Sequence, residues 1–312
     1  QSKKCFFICK RFNMKIIVTG GAGFIGSHIV DALVSDGHEV HVVDNLSVGK
    51  KENVNPKATL HIVDIREKEK LVSIFKNAKY VFHLAALPQV EYSIQNPMET
   101  NDVNVNGTLN VLEASRINKI KRVIFASSSA VYGDQDILPI TENMQANPLS
   151  PYGAQKYIGE VYMKLYAQIY GVETVSLRYF NVYGPRQSAV GAYASVIPRF
   201  IEFKKNNQPL LITNDGEQTR DFVHIEDIVA VNILAMKSDR VGKGEILNIG
   251  AGRRYSVNYI AKLIGGEISY IPPRIEPHDT EASISEAKDF LNWEPHVMLE
   301  EGIQELKKYN DI

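Results

Sequence analysis

Cysteine is nearly absent from this chain of 312 residues: the only two, Cys5 and Cys9, fall within the first thirteen positions. Neither can staple a fold that lies downstream, and a body this poor in cysteine suits a reducing cytoplasm. No apolar run approaches the roughly 18 residues that a membrane-crossing helix needs, so no membrane partner is expected. An excess of either charge is missing too. With 35 basic and 36 acidic side chains the net charge is −1, and no strongly basic stretch points to nucleic acid. Neither an internal repeat nor a low-complexity linker interrupts the chain. At 44% hydrophobic and 23% charged it can bury a sizeable core, as one large domain or two closely joined ones. Residues 1–13 differ in character from the rest of the chain. They are basic, and Phe6-Phe7-Ile8 is too short for a signal-peptide core of about 7–15 residues. They read as a tail or remnant ahead of a domain whose natural start is Met14.

What the sequence does contain is organised around residues 15–44. Lys15-Ile16-Ile17-Val18-Thr19 reads as a buried parallel strand, followed by a turn with glycines at 20, 23 and 26. Ile25, Ile29, Val30, Leu33 and Val34 then recur at helical spacing, and Gly37 suits a helix end. A second strand, Glu39 to Val43, delivers Asp44. Strand, glycine turn, helix and a strand ending in an acid make up a dinucleotide-binding unit. Glycine lets the backbone approach a pyrophosphate, which the helix N-terminus attracts. Asp44 can accept hydrogen bonds from both hydroxyls of an adenosine ribose and would repel a 2′-phosphate, which favours NAD over NADP.

Strands continue to alternate with helices. Thr59–Val63 leads to Asp64, which either bonds an adenine amino group or caps a helix starting near Glu67. Tyr80–Leu84 runs into Ala85-Ala86, small residues against which a cofactor can lie. His83 reads as a half-buried, hydrogen-bonded side chain, not a catalyst. A long amphipathic helix is expected over 99–118, then a strand from Arg122 into Ser127-Ser128-Ser129-Ala130. Ser150 and Pro151 open a helix that runs to Gly171, and a strand from Val172 to Tyr179 follows. The fold class is therefore α/β, a doubly wound, mostly parallel Rossmann sheet. Beyond Gly184 the rhythm breaks, and prolines and short apolar runs suggest a smaller α/β lobe. The expected division is an NAD-binding domain over 14–184, with returning segments near 225–250, and a mainly substrate-binding lobe over 185–312.

Tyr152 and Lys156 are four apart and share one helix face. A lysine ammonium beside a phenol favours the phenolate and makes a base for an alcohol proton. Ser128, at a neighbouring strand end, can hydrogen-bond the same substrate oxygen. Tyr-x-x-x-Lys alone is common in helices. It acquires meaning here from the serine-ending strand and the complete dinucleotide fingerprint.

Taken together, Gly-Gly-Ala-Gly-Phe-Ile-Gly at 20–26, Asp44, His83-Leu84-Ala85-Ala86, Asn104-Val105-Asn106-Gly107-Thr108, Ser127–Gly133, Tyr152 with Lys156, and Arg178–Gly184 resemble an extended short-chain dehydrogenase/reductase acting on nucleotide sugars. The resemblance covers about 14–310 and is nearest to the UDP-hexose and UDP-N-acetylhexosamine 4-epimerases. It implies a retained NAD that takes hydride from C4 of a UDP-sugar, and a keto sugar that swings over to receive it on its other face. Tyr152 would be the base, Ser128 its partner at O4, and Lys156 the holder of the nicotinamide ribose. The cofactor set it implies is Gly20, Gly23, Phe24, Ile25, Gly26, Asp44, Asn45, Asp64, Ile65, Leu84, Ala85, Ala86, Lys156 and Tyr179. Related 4,6-dehydratases and glucuronate decarboxylases carry acids where this chain has Ser128-Ser129-Ala130, so their reactions lose their proton-transfer groups here. No metal is expected.

The same resemblance implies substrate contacts from Ser128, Ser129, Tyr152, Asn181, Ser195, Val196, Arg220 and Arg274, the two arginines gripping the diphosphate. Thr280 would stand at the position that sets sugar size, where a small residue admits an N-acetyl group. UDP-GlcNAc and UDP-GalNAc are then the expected substrates, with UDP-Glc and UDP-Gal alongside. A homodimer is implied through the helices near 99–118 and 151–170, with Leu109, Val111, Tyr162 and Tyr166 as apolar contributors. Competing readings are a UDP-uronate 4-epimerase, a nucleotide-sugar keto-reductase, and a non-catalytic NAD(H) sensor.

Overall fold

Strand β1 (Lys15–Thr19) has its middle residues Ile16, Ile17 and Val18 wholly buried, as an unbroken apolar run requires of a strand covered on both faces. In the computed structural model, which describes residues 13–189, 195–272 and 277–312, this strand sits inside a seven-stranded sheet. Its partners are β2 (Glu39–Asp44), β3 (Thr59–Ile62), β4 (Tyr80–His83), β5 (Arg122–Ser128), β6 (Glu173–Tyr179) and β10 (Lys243–Ile249). The order is β10-β6-β5-β4-β1-β2-β3, with parallel pairing throughout. β1 pairs with β2 on one side and β4 on the other, so the strand order reverses at β1. Such a reversal opens a crevice at the carboxyl ends of the strands.

Alternation along the strands divides the core in two. Ile16, Val18, Phe82 and Ile124 pack under α1 (Phe24–Ser35), α8 (Ile225–Lys237) and α10 (Ser285–Leu291). Ile17, Val81, Val123 and Phe125 pack under α2 (Lys68–Ile74), α5 (Thr108–Ile117) and α6 (Pro151–Tyr170). The expected return of the chain near 225–250 is α8 followed by β10 at the sheet edge. Buried Arg122 anchors it, donating to the carbonyls of Ala235, Ser238 and Val241 at 2.7, 2.6 and 2.7 Å.

Helix α6 begins and ends as its sequence dictates. Ser150 Oγ accepts from Gly153 N–H, Pro151 occupies the first turn, and Gly171 closes the helix at φ 68°. The long helix expected over 99–118 is not uniform. α3 (Val90–Gln95) and α4 (Pro97–Asn101) lead into a wide π-turn over Asp102–Gly107 before α5 resumes. The widened turn accompanies Asn104, whose side chain bonds both backbone groups of Leu87 and the Gln155 amide. The apolar residues expected to face a second copy are mostly spent on this core: Val111 and Tyr166 are buried, and Leu109 and Tyr162 pack against the same cluster. The exposed stripe of α6 is instead Ile158, Val161, Leu165 and Ile169, at 38%, 44%, 37% and 65% exposure.

The remaining chain builds a separate apolar cluster from α7 (Val196–Lys205), β8 (Leu210–Thr213), β9 (Thr219–His224), α9 (Val257–Ile264) and α11 (Leu299–Tyr309). Short sheets order it: β9 lies between β7 (Asn181–Tyr183) and β11 (Arg254–Ser256), and β8 pairs with β12 (Ile268–Ile271). This lobe stands at the end of β6, so the crevice above the main sheet has a second wall.

Below that crevice a buried ion pair locks α6 to the sheet. Arg178 of β6 donates from Nε and Nη2 to the two oxygens of Glu160 at 2.8 and 2.7 Å, and Ser127 Oγ donates to the same carboxylate at 2.5 Å. Both charged side chains are at most 3% exposed. Glu160→Ala strands the guanidinium and should cost about 3–5 kcal/mol, read from urea unfolding. Glu160→Met combined with Arg178→Met removes both charges and should recover most of that loss. A double variant as unstable as the single one would show that the charges themselves stabilise the fold.

Candidate active site

The glycine turn after β1 is a contact surface before it is a binding loop. Gly20 adopts φ 72°, and a Cβ there would lie 2.6 Å from Ala85 N, across the switch point between β1 and β4. A Cβ on Gly26 would lie 2.2 Å from Gly20 O. Only hydrogen fits at either place, so α1 starts hard against the sheet. No side chain caps that start, and no acid occupies its first turn. The helix N-terminus therefore offers N–H groups and partial positive charge to an anion. Phe24 and Ile25 lie in this turn, both half-buried.

Asp44 ends β2, 7% exposed, with its carboxylate accepting from Ala22 N–H at 3.0 Å and Leu46 N–H at 2.8 Å. It shapes the glycine turn itself. Burial pushes its pKa up, and the two N–H bonds pull it back. Asp64 does not cap α2. It pairs with Arg66 and accepts from Asn45 Nδ2 at 2.8 Å, and these bonds hold its pKa down at about 2. Leu84, Ala85 and Ala86 follow β4 at the same edge, and Leu84 N–H donates to Thr19 O. Ile65 is buried against Gly107, where a Cβ would meet it at 2.5 Å. A cleft edge of small residues, an open helix N-terminus and a strand-end carboxylate fit a dinucleotide. Tyr179 stands apart: its phenol exchanges hydrogen bonds with Asn232 inside the core, so only its backbone faces the strand ends. His83 is fully buried between Thr19 Oγ1 and Thr108 Oγ1, at 2.8 and 2.9 Å, and burial drives its pKa to about 3. It is a neutral structural bridge, deeper than the half-buried position expected of it.

Tyr152, Lys156 and Ser128 converge at the end of β5. Ser128 is the last residue of that strand and its Oγ accepts from Ala130 N–H. Tyr152 lies in the first turn of α6, where its own N–H donates to Ser93 Oγ of α3 at 3.1 Å. Lys156, one turn on, is 4% exposed and donates from Nζ to Ala126 O at 2.7 Å. The electrostatics differ from the expectation that lysine lowers the tyrosine. Burial pushes the Tyr152 phenol up to about 12, opposed only by its hydrogen bond with Ser128. Lys156 is pulled onto the Ala126 carbonyl, 5.8 Å from the centre of the phenol ring. Burial lowers Lys156 to about 8, while Glu160 opposes the shift. Ser129, which begins the short turn after β5, brings no acid to the site, and no carboxylate among the described residues shifts the Tyr152 hydroxyl.

On the lobe side, Asn181 opens β7 and donates from Nδ2 to Asp221 O at 3.1 Å. Arg220, on β9, donates from Nη1 to Thr219 O and His278 O at 2.9 and 2.8 Å. Ser195 precedes α7 without capping it, and Val196 is the first residue of that helix. Thr280 is 7% exposed, and its Oγ1 has no hydrogen-bond partner among the described residues. Arg274 and the stretch 190–194 lie outside the described residues. Sequence reasoning named Asn104 only within a family motif and gave no role to Gln155, Ser93, Asp221 and Asp279, which with it hold these segments together. Nothing in their spacing marks them, because each acts on a segment far away in the chain.

One group of metal-ligand type occurs among the described residues: His224, Glu226 and Glu305. His224 Nδ1 accepts from Glu226 N–H as the cap of α8, and His224 Nε2 lies 3.5 Å from Glu305.

Residues 16–250 match the model of the NAD dependent epimerase/dehydratase family. A provisionally named UDP-glucose 4-epimerase of Methanocaldococcus jannaschii is 46% identical, covering 93% of this chain and 96% of that protein. The crystal structure of UDP-glucose 4-epimerase with UDP-glucose from Thermotoga maritima superposes with a TM-score of 0.91 at 41% identity, over 95% of this chain and 98% of that one. UDP-N-acetylglucosamine 4-epimerase from Methanobrevibacter ruminantium, in complex with UDP-N-acetylmuramic acid, matches with a TM-score of 0.91 at 39% identity and the same coverages.

Lys156 makes a stability prediction with a definite sign. Its pKa is lowered from 10.5 to about 8 in the folded chain, so between these values the unfolded chain holds a proton that the folded one lacks. Stability therefore rises with pH across that window, and at pH 7 the buried ammonium costs about 3 kcal/mol. Lys156→Met should be more stable than the parent at pH 7, with no rise between pH 8 and 9.5, and should lose turnover. Urea midpoints at three pH values check this; a parental rise retained in the variant would exclude Lys156 as its source.

Proposed function

The chain belongs to the NAD-dependent epimerase/dehydratase family, with NAD as its cofactor, and on that footing we propose that it inverts C4 of a UDP-sugar. The observation that carries this reading is the meeting of Tyr152, Ser128 and Lys156 at a strand end, with no carboxylate among the described residues acting on the phenol. Dehydration and decarboxylation need an acid at Ser128-Ser129-Ala130, whereas epimerisation needs only a base that removes and returns one proton. NAD when bound supplies the hydride acceptor and donor for C4. The glycine turn and the open start of α1 would hold its pyrophosphate, and Asp44 its adenosine ribose. Tyr152 Oη takes the proton from the sugar 4-hydroxyl and later returns it to the same oxygen. Ser128 Oγ holds that oxygen in line, and the Lys156 charge favours the phenolate once Nζ leaves the Ala126 carbonyl.

The sugar itself is assigned from Thr280 and from the likeness to the M. ruminantium enzyme. A threonine walls the sugar side with little bulk, so UDP-GlcNAc and UDP-GalNAc are the favoured pair and UDP-Glc and UDP-Gal are accepted as well. Arg220 and Arg274 hold the diphosphate, with Asn181, Ser195 and Val196 completing the nucleotide side.

We assign the exposed stripe of α6 to a homodimer contact. Ile158, Val161, Leu165 and Ile169 follow one another at helical spacing on a face that the core does not use, and Met98 of α4 is 82% exposed. Such a continuous apolar face marks an interface. Among the described residues no helix is long and apolar enough to cross a membrane.

The deciding experiment incubates the purified protein with UDP-GlcNAc, and separately with UDP-Gal, without added NAD, and quantifies epimers by proton NMR. Stable mixtures from both support the assignment. Conversion of UDP-Gal alone would refute the reading of Thr280, and conversion of neither, even with NAD supplied, would overturn the proposed reaction. Thr280→Tyr should cut kcat/KM for UDP-GlcNAc by roughly tenfold or more while sparing UDP-Gal; an equal effect on both sugars would sink the assignment. For the interface, Val161→Glu with Leu165→Glu should yield a monomer by light scattering. A parent that is itself monomeric would reject the dimer.

A further inference from the structure

Thr280 lies on a stretch of backbone that has no helix or long strand to stiffen it, yet the stretch is pinned from both sides. On one side Ile140 N–H donates to Glu281 O at 2.7 Å and Ser283 N–H donates to Ile140 O at 2.8 Å. On the other side β9 holds it. Thr219 N–H donates to His278 O, and Thr280 N–H donates to Thr219 O, both at 3.1 Å. Arg220 adds its bond to His278 O.

Two carboxylates close the arrangement. Asp279, just before Thr280, accepts from Thr219 N–H at 3.0 Å and from Thr219 Oγ1. Asp221, wholly buried, accepts from Ala282 N–H at 3.0 Å, two residues after Thr280. The same Asp221 carboxylate also takes Ala251 N–H at 2.5 Å and Gly252 N–H at 3.0 Å, just past β10. Its backbone carbonyl receives Asn181 Nδ2. A buried carboxylate is expensive to desolvate, and three N–H donors from two distant segments give the reason for one here. Burial pushes the Asp221 pKa up to about 7 while the three N–H bonds oppose it; the ionised carboxylate accepts on both oxygens, whereas an amide of the same shape accepts on one and turns a donor toward the other N–H groups.

We propose that Asp221 and Asp279 are positioning residues that fix where Thr280 stands, and so set the discrimination between sugars with and without an N-acetyl group. The proposal rests on the reading of Thr280 as the wall beside the sugar. Neither aspartate needs to touch the substrate: Asp221 ties the wall to the strand of Arg220 and to the end of β10, and Asp279 sets its register on β9. A wall residue discriminates by size only while its backbone cannot retreat. Releasing either aspartate lets the segment move back from a bulky side chain.

The test is made in the Thr280→Tyr background, on proteins purified with their cofactor. The readout is the ratio of kcat/KM for UDP-Gal to that for UDP-GlcNAc. Thr280→Tyr alone should raise the ratio by roughly tenfold or more. Adding Asp221→Asn, or in a parallel variant Asp279→Asn, should bring it back most of the way toward the parental value, chiefly through a lower KM for UDP-GlcNAc. A merely structural role would lower both rates together and leave the ratio at its Thr280→Tyr value, which would overturn the proposal. Should Asp221→Asn not fold, the half-exposed Asp279 decides the question by the same ratio. No change of ratio in Thr280→Tyr alone would instead reject the wall reading, and the positioning role with it, while leaving epimerisation of UDP-Gal intact.

Discussion

Gly20 touches the backbone of Ala85 on one side and the start of α1 on the other, and most of the site depends on that double contact. A Cβ at Gly20 would press on Ala85 N and Leu84 C, and one at Gly26 would press on Gly20 O. With only hydrogens between them, β1, β4 and α1 come together at the point where the strand order reverses. Asp44 then reaches back to Ala22 N–H and holds the turn from the β2 side. Had any of these contacts been wider, the helix N-terminus would not face the strand ends, and the glycine turn and Tyr152 would share no crevice. Shape complementarity at van der Waals distance sets the geometry in which later electrostatics act.

The buried charges divide by what they do. Arg122 offers its guanidinium to the carbonyls that end α8, where a helix leaves acceptors unsatisfied. Glu160 and Arg178 neutralise each other and seat α6 on the sheet, one turn beyond Lys156. Asp221 satisfies backbone donors from two segments far apart in the chain, at Ala251-Gly252 and at Ala282. Lys156 is buried with the Ala126 carbonyl as its hydrogen-bond partner, and burial lowers its pKa to about 8, so its charge can respond to what binds. Burial weakens the charged form of Asp221 as well, pushing its pKa up to about 7, but there three backbone N–H groups take up the carboxylate. A buried cation at a strand end without such a set of partners fits a role in chemistry. Tyr152 tells the same story from the other side, since burial keeps its phenol protonated until a positive neighbour compensates.

Much of this was legible in the chain. The apolar run of β1, the three glycines, the periodicity of α1, Asp44 at the end of β2, and Ser150-Pro151 opening α6 each carry their conformational reason within a few residues. Local sterics and hydrogen bonding dictate them before tertiary structure exists, and the mostly parallel sheet formed as expected. The four-residue spacing of Tyr152 and Lys156 placed them on one face correctly. It could not give the direction of their pKa values, which depends on how deeply α6 is buried and on which carbonyl lies within reach of Nζ. Nor could periodicity say which side of α6 faces outward, because a helix covering a sheet and a helix meeting a partner both carry wide apolar surfaces.

The sequence by itself determined the alternation of strands and helices that builds the main sheet up to Tyr179, the turn that can accept a pyrophosphate, and the chemical identity of the groups at the strand ends. These properties are short-range, fixed by side-chain volume, backbone freedom and the helical repeat. Tertiary structure decided the rest: the π-turn at Asn104, the core position of the Tyr179 phenol, the pairing of Asp64 with Arg66, and the two aspartates that hold the segment of Thr280. Each depends on a partner from elsewhere in the fold or on a competition among nearby groups, and a hydrogen bond between distant segments leaves no period or spacing in the chain that makes it.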